Sequence, residues 1–315
     1  MNHAFRDRVV RLEYRVTLDT ARRLVPVTPY WITTSCNKDR VYSVAGGGAS
    51  GAQDRHERLW TVPQDGRIVA AAAHAHGGAR RVTLSQPHCY DRLLLSSNAR
   101  YGLADDPIYH VAPVLHEPSP RSLSWALSSS GWHVRRGERL RVSSIYDAER
   151  PHVKVMGIMH LYVARNNVPA RACAPQPGDA EQRVERFLGY PGRPDPPPVS
   201  VQLSARTRTG PARPIARPPG KLEEFSGDAT FTVREFRFRP ANVSVPQGAV
   251  VRWRFRDRAL HDVTVADGPL GFASLYSARG DRFATRLVVP GDYRIFCSLH
   301  PVDMAQAIHV RGPRE

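Results

Sequence analysis

Tyr293-Arg294-Ile295-Phe296-Cys297-Ser298-Leu299-His300-Pro301-Val302-Asp303-Met304, read with His261-Asp262-Val263-Thr264-Val265 upstream, is the stretch on which the fold turns. Side chains alternate along a strand with period 2, so Tyr293, Ile295 and Cys297 share one face. A short loop after Cys297 then turns back and offers His300 and Met304 to the same point. His261 opens an alternating run and enters from a neighbouring strand end. One thiolate, two imidazoles and one thioether make the donor set of a trigonal His₂Cys copper site with a weak axial Met, the arrangement used for one-electron transfer. A lone Cys is more often a small buried hydrophobe, and a decayed or zinc-filled site is the other competing reading. The Cys-x-x-His spacing at a strand–loop junction, with a distant His at a strand start, favours copper at His261, Cys297, His300 and Met304.

The stretch around this site resembles the cupredoxin family, the plastocyanin-like and amicyanin-like blue-copper domains. The resemblance covers residues 227–311 and rests on five pieces. They are Phe231-Thr232-Val233-Arg234-Glu235-Phe236, Pro246-Gln247-Gly248 ahead of Val250-Val251-Arg252-Trp253-Arg254-Phe255, His261-Asp262-Val263, and Pro290-Gly291-Asp292-Tyr293 leading into the Cys loop. It implies a Greek-key β-sandwich with type 1 copper. One departure is that three residues separate His300 from Met304, where the family has two or four.

Outward from there the chain changes character twice. From Pro169 to Pro219, 12 of 51 residues are proline, with Asp195-Pro196-Pro197-Pro198 and Ala212-Arg213-Pro214 inside, which reads as an extended, semi-rigid linker. A short helical turn is expected near Ala180–Leu188. Before it, short alternating runs at 9–18, 67–73, 81–84, 139–146 and 153–163 are separated by turn clusters such as Gln64-Asp65-Gly66 and Arg136-Gly137-Glu138. The expected architecture is all-β: a jelly-roll-like sandwich over 1–168, a Pro/Arg-rich linker over 169–226, and the cupredoxin-like sandwich over 227–315.

In the first part, Arg67-Ile68-Val69-Ala70-Ala71-Ala72-Ala73-His74-Ala75-His76-Gly77-Gly78 ends an apolar strand in His-x-His, which sets both imidazoles on one face about 7 Å apart along the strand. Two neutral imidazoles so placed can share a metal. Pro151-His152-Val153-Lys154-Val155-Met156-Gly157-Ile158-Met159-His160 follows about eighty residues on. These stretches, with Tyr109-His110-Val111-Ala112-Pro113-Val114-Leu115-His116-Glu117-Pro118, resemble the catalytic half of the copper type II ascorbate-dependent monooxygenases. They are more similar still to bacterial relatives of the stress-upregulated nodulin-19-like proteins of that fold. The resemblance implies a second copper, with zinc as its competitor, at His74, His76 and Met156, with Met159 as the alternative thioether. It also implies hydroxylase-like oxygen chemistry. That family's separate electron-feeding copper has no counterpart here, so the C-terminal copper is expected to exchange single electrons with the first. Among the remaining His residues, His116 and His160 are the best further ligands.

Composition narrows the classes. A formal charge of +16 invites a nucleic-acid reading. Lys, however, occurs only at Lys38, Lys154 and Lys221, and the Arg residues are scattered and not gathered on one stripe, so no specific nucleic-acid partner is expected. No run of about 18 apolar residues is present to span a membrane. A metallo-hydrolase lacks its usual Asp-His after His74-Ala75-His76. With Cys297 assigned to copper, Cys36, Cys89 and Cys173 are left as an odd set in which any pair could bridge. Disulfides and thiolate copper both point outside the cytoplasm. Met1–Arg8 has no apolar signal core, and the strand pattern of Val10, Leu12, Tyr14, Val16 and Leu18 starts at once, which implies a true start farther upstream. The expected function is a copper redox protein served by a redox partner or small reductant. The alternative is a non-enzymatic electron carrier or copper-binding protein whose first part only binds a partner or metal.

Overall fold

The computed structural model describes residues 18, 20, 24–35, 41–101, 120, 122–149, 151–166, 171–183, 218, 220–300 and 304–313. The 9–17 part of the opening run, Cys36, the Tyr109–Pro118 stretch and most of the proline-rich segment lie outside them. The described chain is built of β-strands, with one 3-10 turn at Pro87–Cys89 and no α-helix. None of its elements is a helix long and apolar enough to cross a membrane.

Two five-stranded sheets enclose the first core. One has the order β1 (Val27–Thr33), β11 (Gly157–Arg165), β4 (Gly66–Ala75), β8 (Trp125–Val134) and β12 (Glu181–Arg183). The other runs β3 (Gln53–Thr61), β9 (Arg139–Asp147), β5 (Ala79–Gln86), β6 (Arg92–Arg100) and β7 (Ser122–Leu123). Alternation decides what faces inward: Met159, Leu161 and Val163 of β11 meet Val82 and Leu84 of β5 and Leu140 and Val142 of β9 across the interior. A ribbon of β2 (Tyr42–Val44) and β10 (His152–Val155) stands apart from both sheets.

The second core lies between two further sheets. One runs β13 (Leu222–Glu224), β16 (Asn242–Pro246), β21 (Ala305–Arg311), β20 (Gly291–Phe296) and β18 (Thr264–Asp267). Its partner runs β15 (Arg237–Arg239), β14 (Ala229–Arg234), β17 (Val250–Phe255) and β19 (Arg282–Arg286). Both are mixed: β14 pairs parallel with β17, and β16 pairs parallel with β21. Trp253 is fully buried among Phe231, Phe272 and Phe283, and its ring N–H donates to Gln306 Oε1 at 2.9 Å. A buried indole N–H left unpaired would be costly, so the buried Gln306 is explained by its partner.

Two expectations change in detail. The run 153–163 is broken at Met156, so that β10 and β11 belong to different sheets. At the break Gly157 passes so close to β9 that a Cβ there would stand 2.2 Å from Ser144 Cβ, and Lys154 takes a left-handed φ of +54°. Of the helical turn expected near 180–188, Glu181–Arg183 form instead an edge strand on β8, and 184–188 lie outside the described residues. Asp179 holds that segment down by accepting hydrogen bonds from the Ser129 and Ser130 amides at 2.8 and 3.0 Å. A disulfide between Cys89 and Cys173 ties its other end, selecting one of the pairings left open by the sequence.

Candidate metal centre

At one end of the second core, β20 delivers Cys297, the residue after its last strand position, with Tyr293 and Ile295 buried on the same face as expected. The Cys loop is fixed by its own backbone: the His300 amide donates to Cys297 O, the Met304 amide to His300 O, and the Cys297 amide to Met304 O, each at 3.1 Å. His261 precedes β18 and is pinned by paired backbone bonds with Ser277 at 2.9 and 2.8 Å. The three side chains converge. His261 Nδ1 and His300 Nδ1 are 3.2 Å apart, and Cys297 Sγ lies 3.5 Å from the second and 4.0 Å from the first. The centre of that triangle is about 2.1 Å from each corner, the length of a metal–imidazole bond and slightly short of a metal–thiolate bond. His261 and Cys297 are fully buried and His300 sits at the rim. A soft thiolate with two imidazoles in a trigonal set fits copper better than a hard cation. Met304 is fully buried in the same core as Cys297, at the end of the loop.

A second layer orients the first. Asp257 Oδ2 lies 3.0 Å from His261 Nε2, so the ring donates there and directs its other nitrogen's lone pair to the centre. Burial pushes the Asp257 pKa up, but hydrogen bonds from the Glu235 and Phe236 amides and from His261 outweigh it and hold the carboxyl below its usual range. Those amides belong to two consecutive residues at φ +55°, a turn that sets the Phe236 ring edge-on against His261 and His300, with centroids 5.2 and 4.7 Å away. On the other side Asp262, also fully buried, donates its amide to Cys297 Sγ at 3.4 Å and accepts from the Ser298 amide at 2.6 Å. Burial pushes the Cys297 thiol pKa up, and the Asp262 carboxylate adds to the rise against the pull of neighbouring amides. A bound cation would reverse that balance, because a coordinated thiol loses its proton.

Of the other predicted residues, His74 and His76 come together at the end of β4, on the outer face of the first sheet. His74 and His76 lie side by side, ring centroids 5.2 Å apart. The register of β11 on β4 sets Ile158 opposite His74 and His160 opposite Ala72, so His160 joins this face. Met156 lies next to the ribbon end of β11, and the Tyr146 hydroxyl links its carbonyl to the His76 amide, at 2.5 and 2.9 Å. Met159 is buried in the opposite direction, in the first core. Burial lowers the pKa of His74, and burial followed by repulsion from His74 lowers that of His160, so both rings favour the neutral form that a metal needs. Among the described residues, two groups of three His, Cys or acidic donors fall within 4.8 Å of one another. One is His261, Cys297 and His300, and the other is His88 with the disulfide sulfurs of Cys89 and Cys173. The His74–His76 pair belongs to neither.

Asp257 and Asp262 were given no role by the sequence reading. Asp257 carries a weak signal, an acidic residue four positions before a candidate ligand. Asp262 carries none beyond its adjacency to His261.

Residues 19–166 match the family model described as stress up-regulated Nod 19 (SURNod19). No curated protein matches the chain. Among solved structures, the chain is similar to a novel purple cupredoxin from Nitrosopumilus maritimus, 26% identical over 27% of this chain and 100% of that one, with a TM-score of 0.25. It is also similar to an oxidized amicyanin mutant at 16% identity over 26% of this chain and 81% of that one, and to the Cu(I) form of another at 19% over 28% and 85%, both with a TM-score of 0.25.

Proposed function

We propose that this chain is a two-domain, extracytoplasmic copper redox protein. Its C-terminal domain would hold type 1 copper on His261, Cys297 and His300 with Met304 as the weak axial donor. The observation that carries this reading is the Nδ1–Nδ1–Sγ triangle, two of its corners buried and the third at the rim, with the Asp257 carboxylate placed to hold His261 in the ligand tautomer. The Cys89–Cys173 disulfide supports a compartment where disulfides persist. Bound there, copper supplies reversible one-electron transfer, and a second copper at His74, His76 and Met156 would supply hydroxylase-like oxygen chemistry fed by it. The chain's own residues do the rest. The loop amides set the cage before any metal arrives, Phe236 shields its edge, and the neutral pair His74 and His76 offers lone pairs on an accessible face. In favour of a non-enzymatic carrier is that the His74–His76 pair gathers no third His, Cys or acidic donor within 4.8 Å among the described residues.

Copper loading of the full chain, followed by visible and paramagnetic-resonance spectra, tests the first assignment: no thiolate-to-copper band refutes it. Oxygen uptake with a reductant, in wild type and His74→Ala, tests the second. Uptake lost with the band kept is expected of the enzyme, and no uptake in either is expected of the carrier.

A further inference from the structure

The cage is not built from the second core alone. Asp262 Oδ2 accepts from the Ser298 hydroxyl and from Lys154 Nζ, which comes from β10 of the ribbon on the other core, 108 residues away. Lys154 Nζ also donates to Ser298 Oγ at 3.1 Å and lies 4.6 Å from the centre of the Tyr276 ring. An ionised carboxylate as buried as Asp262 is tolerated only when it is paired. Around this ion pair the ribbon is fitted closely to the loop after β18. The Gly271 amide donates to Ala45 O at 2.8 Å, and a Cβ on Gly271 would stand 2.5 Å from Pro151 Cβ and 3.2 Å from Val153 Cγ1. Lys154 itself holds φ +54°, a left-handed conformation that a residue with a side chain adopts at a cost and that surroundings must enforce. Two residues on is Met156, whose carbonyl shares the Tyr146 hydroxyl with the His76 amide.

From this geometry we infer that Lys154 is a positioning residue of the cage, clamping the loop that carries Cys297 and Ser298 and supplying the countercharge for the carboxylate beside it. The inference rests on the proposal that the cage holds copper. Its physical content is electrostatic and mechanical at once. Without the ammonium, an unbalanced carboxylate stands one residue from His261 and in contact, through its amide, with the Cys297 sulfur. That extra negative charge favours the more positive, oxidised state of the centre. A unit charge within a few ångströms of a buried site moves such an equilibrium by tenfold or more.

The test is a redox titration of the copper-loaded full chain, read by its visible band. Lys154→Met is expected to keep the band, change its energy, and raise the ratio of oxidised to reduced centre at fixed potential at least tenfold, about 59 mV for a one-electron couple. Lys154→Arg keeps the charge and should stay near wild type, and K154M/D262N, with neither charge, should return toward it. A merely structural lysine would not give that reversal. If K154M does not fold, Gly271→Ala decides, because it wedges the ribbon from the loop with both charges in place and should shift the ratio in the same direction. A band and ratio unchanged in K154M, or in G271A where that variant decides, overturn the inference and leave the copper reading standing. A wild type without the band overturns both.

Discussion

Replacing Asp257 by Asn is the sharpest test of how the cage works, because it changes charge and donor pattern while keeping size. In the folded chain one carboxylate accepts three hydrogen bonds: the Glu235 amide at 2.9 Å, the Phe236 amide at 3.1 Å and His261 Nε2 at 3.0 Å. Oδ1 serves the Glu235 amide and Oδ2 serves both the Phe236 amide and the imidazole, so a carboxamide, with a single oxygen, must turn its NH₂ either toward the Glu235 amide or toward the Phe236 amide and the imidazole together. Turned toward the imidazole, it stabilises the tautomer with hydrogen on Nδ1, the atom 3.2 Å from His300 Nδ1, and closes the lone pair a metal would use. Turned the other way, it keeps the imidazole's hydrogen bond but opposes the Glu235 amide, and the negative charge that makes a carboxylate the stronger acceptor is gone. Loss of a carboxylate that orients a ligating His typically costs 10–100-fold in metal affinity, about 1.4–2.7 kcal/mol. The apo fold should lose only about 1 kcal/mol, the net worth of one ordinary hydrogen bond. Competition of copper against a chelator, followed by the visible band, gives the first quantity, and thermal melting of the apo chain gives the second. Affinity within twofold of wild type at unchanged apo stability would refute the tautomer argument. Equal losses in both would mean that Asp257 serves the turn at 235–236 and not the metal.

Three further outcomes follow from the packing. Trp253→Ala should cost about 3–5 kcal/mol of unfolding free energy, since it empties the centre of the second core and strands the buried Gln306 side chain, and urea midpoints read this directly. Replacing Cys89 and Cys173 by Ser opens a loop of 84 residues, and the loss should lie near the usual 2–4 kcal/mol, below a chain-entropy limit of about 4.5, visible as a lowered denaturation midpoint that reductant no longer changes. Asp179 is held below the ordinary carboxylate range, first by the hydroxyls of Ser128 and Ser130 and then by backbone amides. A depressed folded pKa gives stability that is present above the unfolded value and lost as pH falls through the folded one. Asp179→Asn should therefore flatten the acid limb of a stability–pH curve, and an unchanged limb would mean that the strap at 171–183 bears no load.

Much of the fold was legible because burial follows period 2. Val251, Trp253 and Phe255 alternate with exposed positions, and Tyr293 and Ile295 flank the half-buried Arg294, though Phe296 beside Cys297 is buried as well. The convergence of His261, Cys297 and His300 was legible because they fall in two short stretches, each with backbone reasons to be where it is. What was not legible depends on choices made across the chain. The break at Met156 is accompanied by the close approach of Gly157 to Ser144, a contact between strands that no local pattern encodes. Glu181–Arg183 carry no strand signal, and they pair with β8 because a disulfide and Asp179 deliver them to its edge. Cys89 and Cys173 are linked by geometry that spacing could not choose. Lys154 read as one of three scattered lysines, and its partner is set by tertiary docking alone.

The two carboxylates beside the cage illustrate why such distant choices matter for its chemistry. With thiolate, Asp257 and Asp262 ionised and both imidazoles neutral, the cage carries three negative charges in a largely dry pocket. Cu(II), held there as proposed, would together with Lys154 bring that set to formal neutrality, and Cu(I) would leave it with a single excess negative charge. Remove the lysine and each state becomes more negative by one, with the penalty falling harder on the reduced form. Low-dielectric surroundings make such differences large and make full neutrality the favoured condition for burial. The ribbon contact is therefore part of the electrostatics of the cage as well as a joint between the two cores. Whether the two halves dock becomes a variable that the potential reports. A second halves-apart state, populated by salt or by cutting within the proline-rich stretch, should then show a lower potential at the same cage. A potential indifferent to both treatments would separate the joint from the electrostatics.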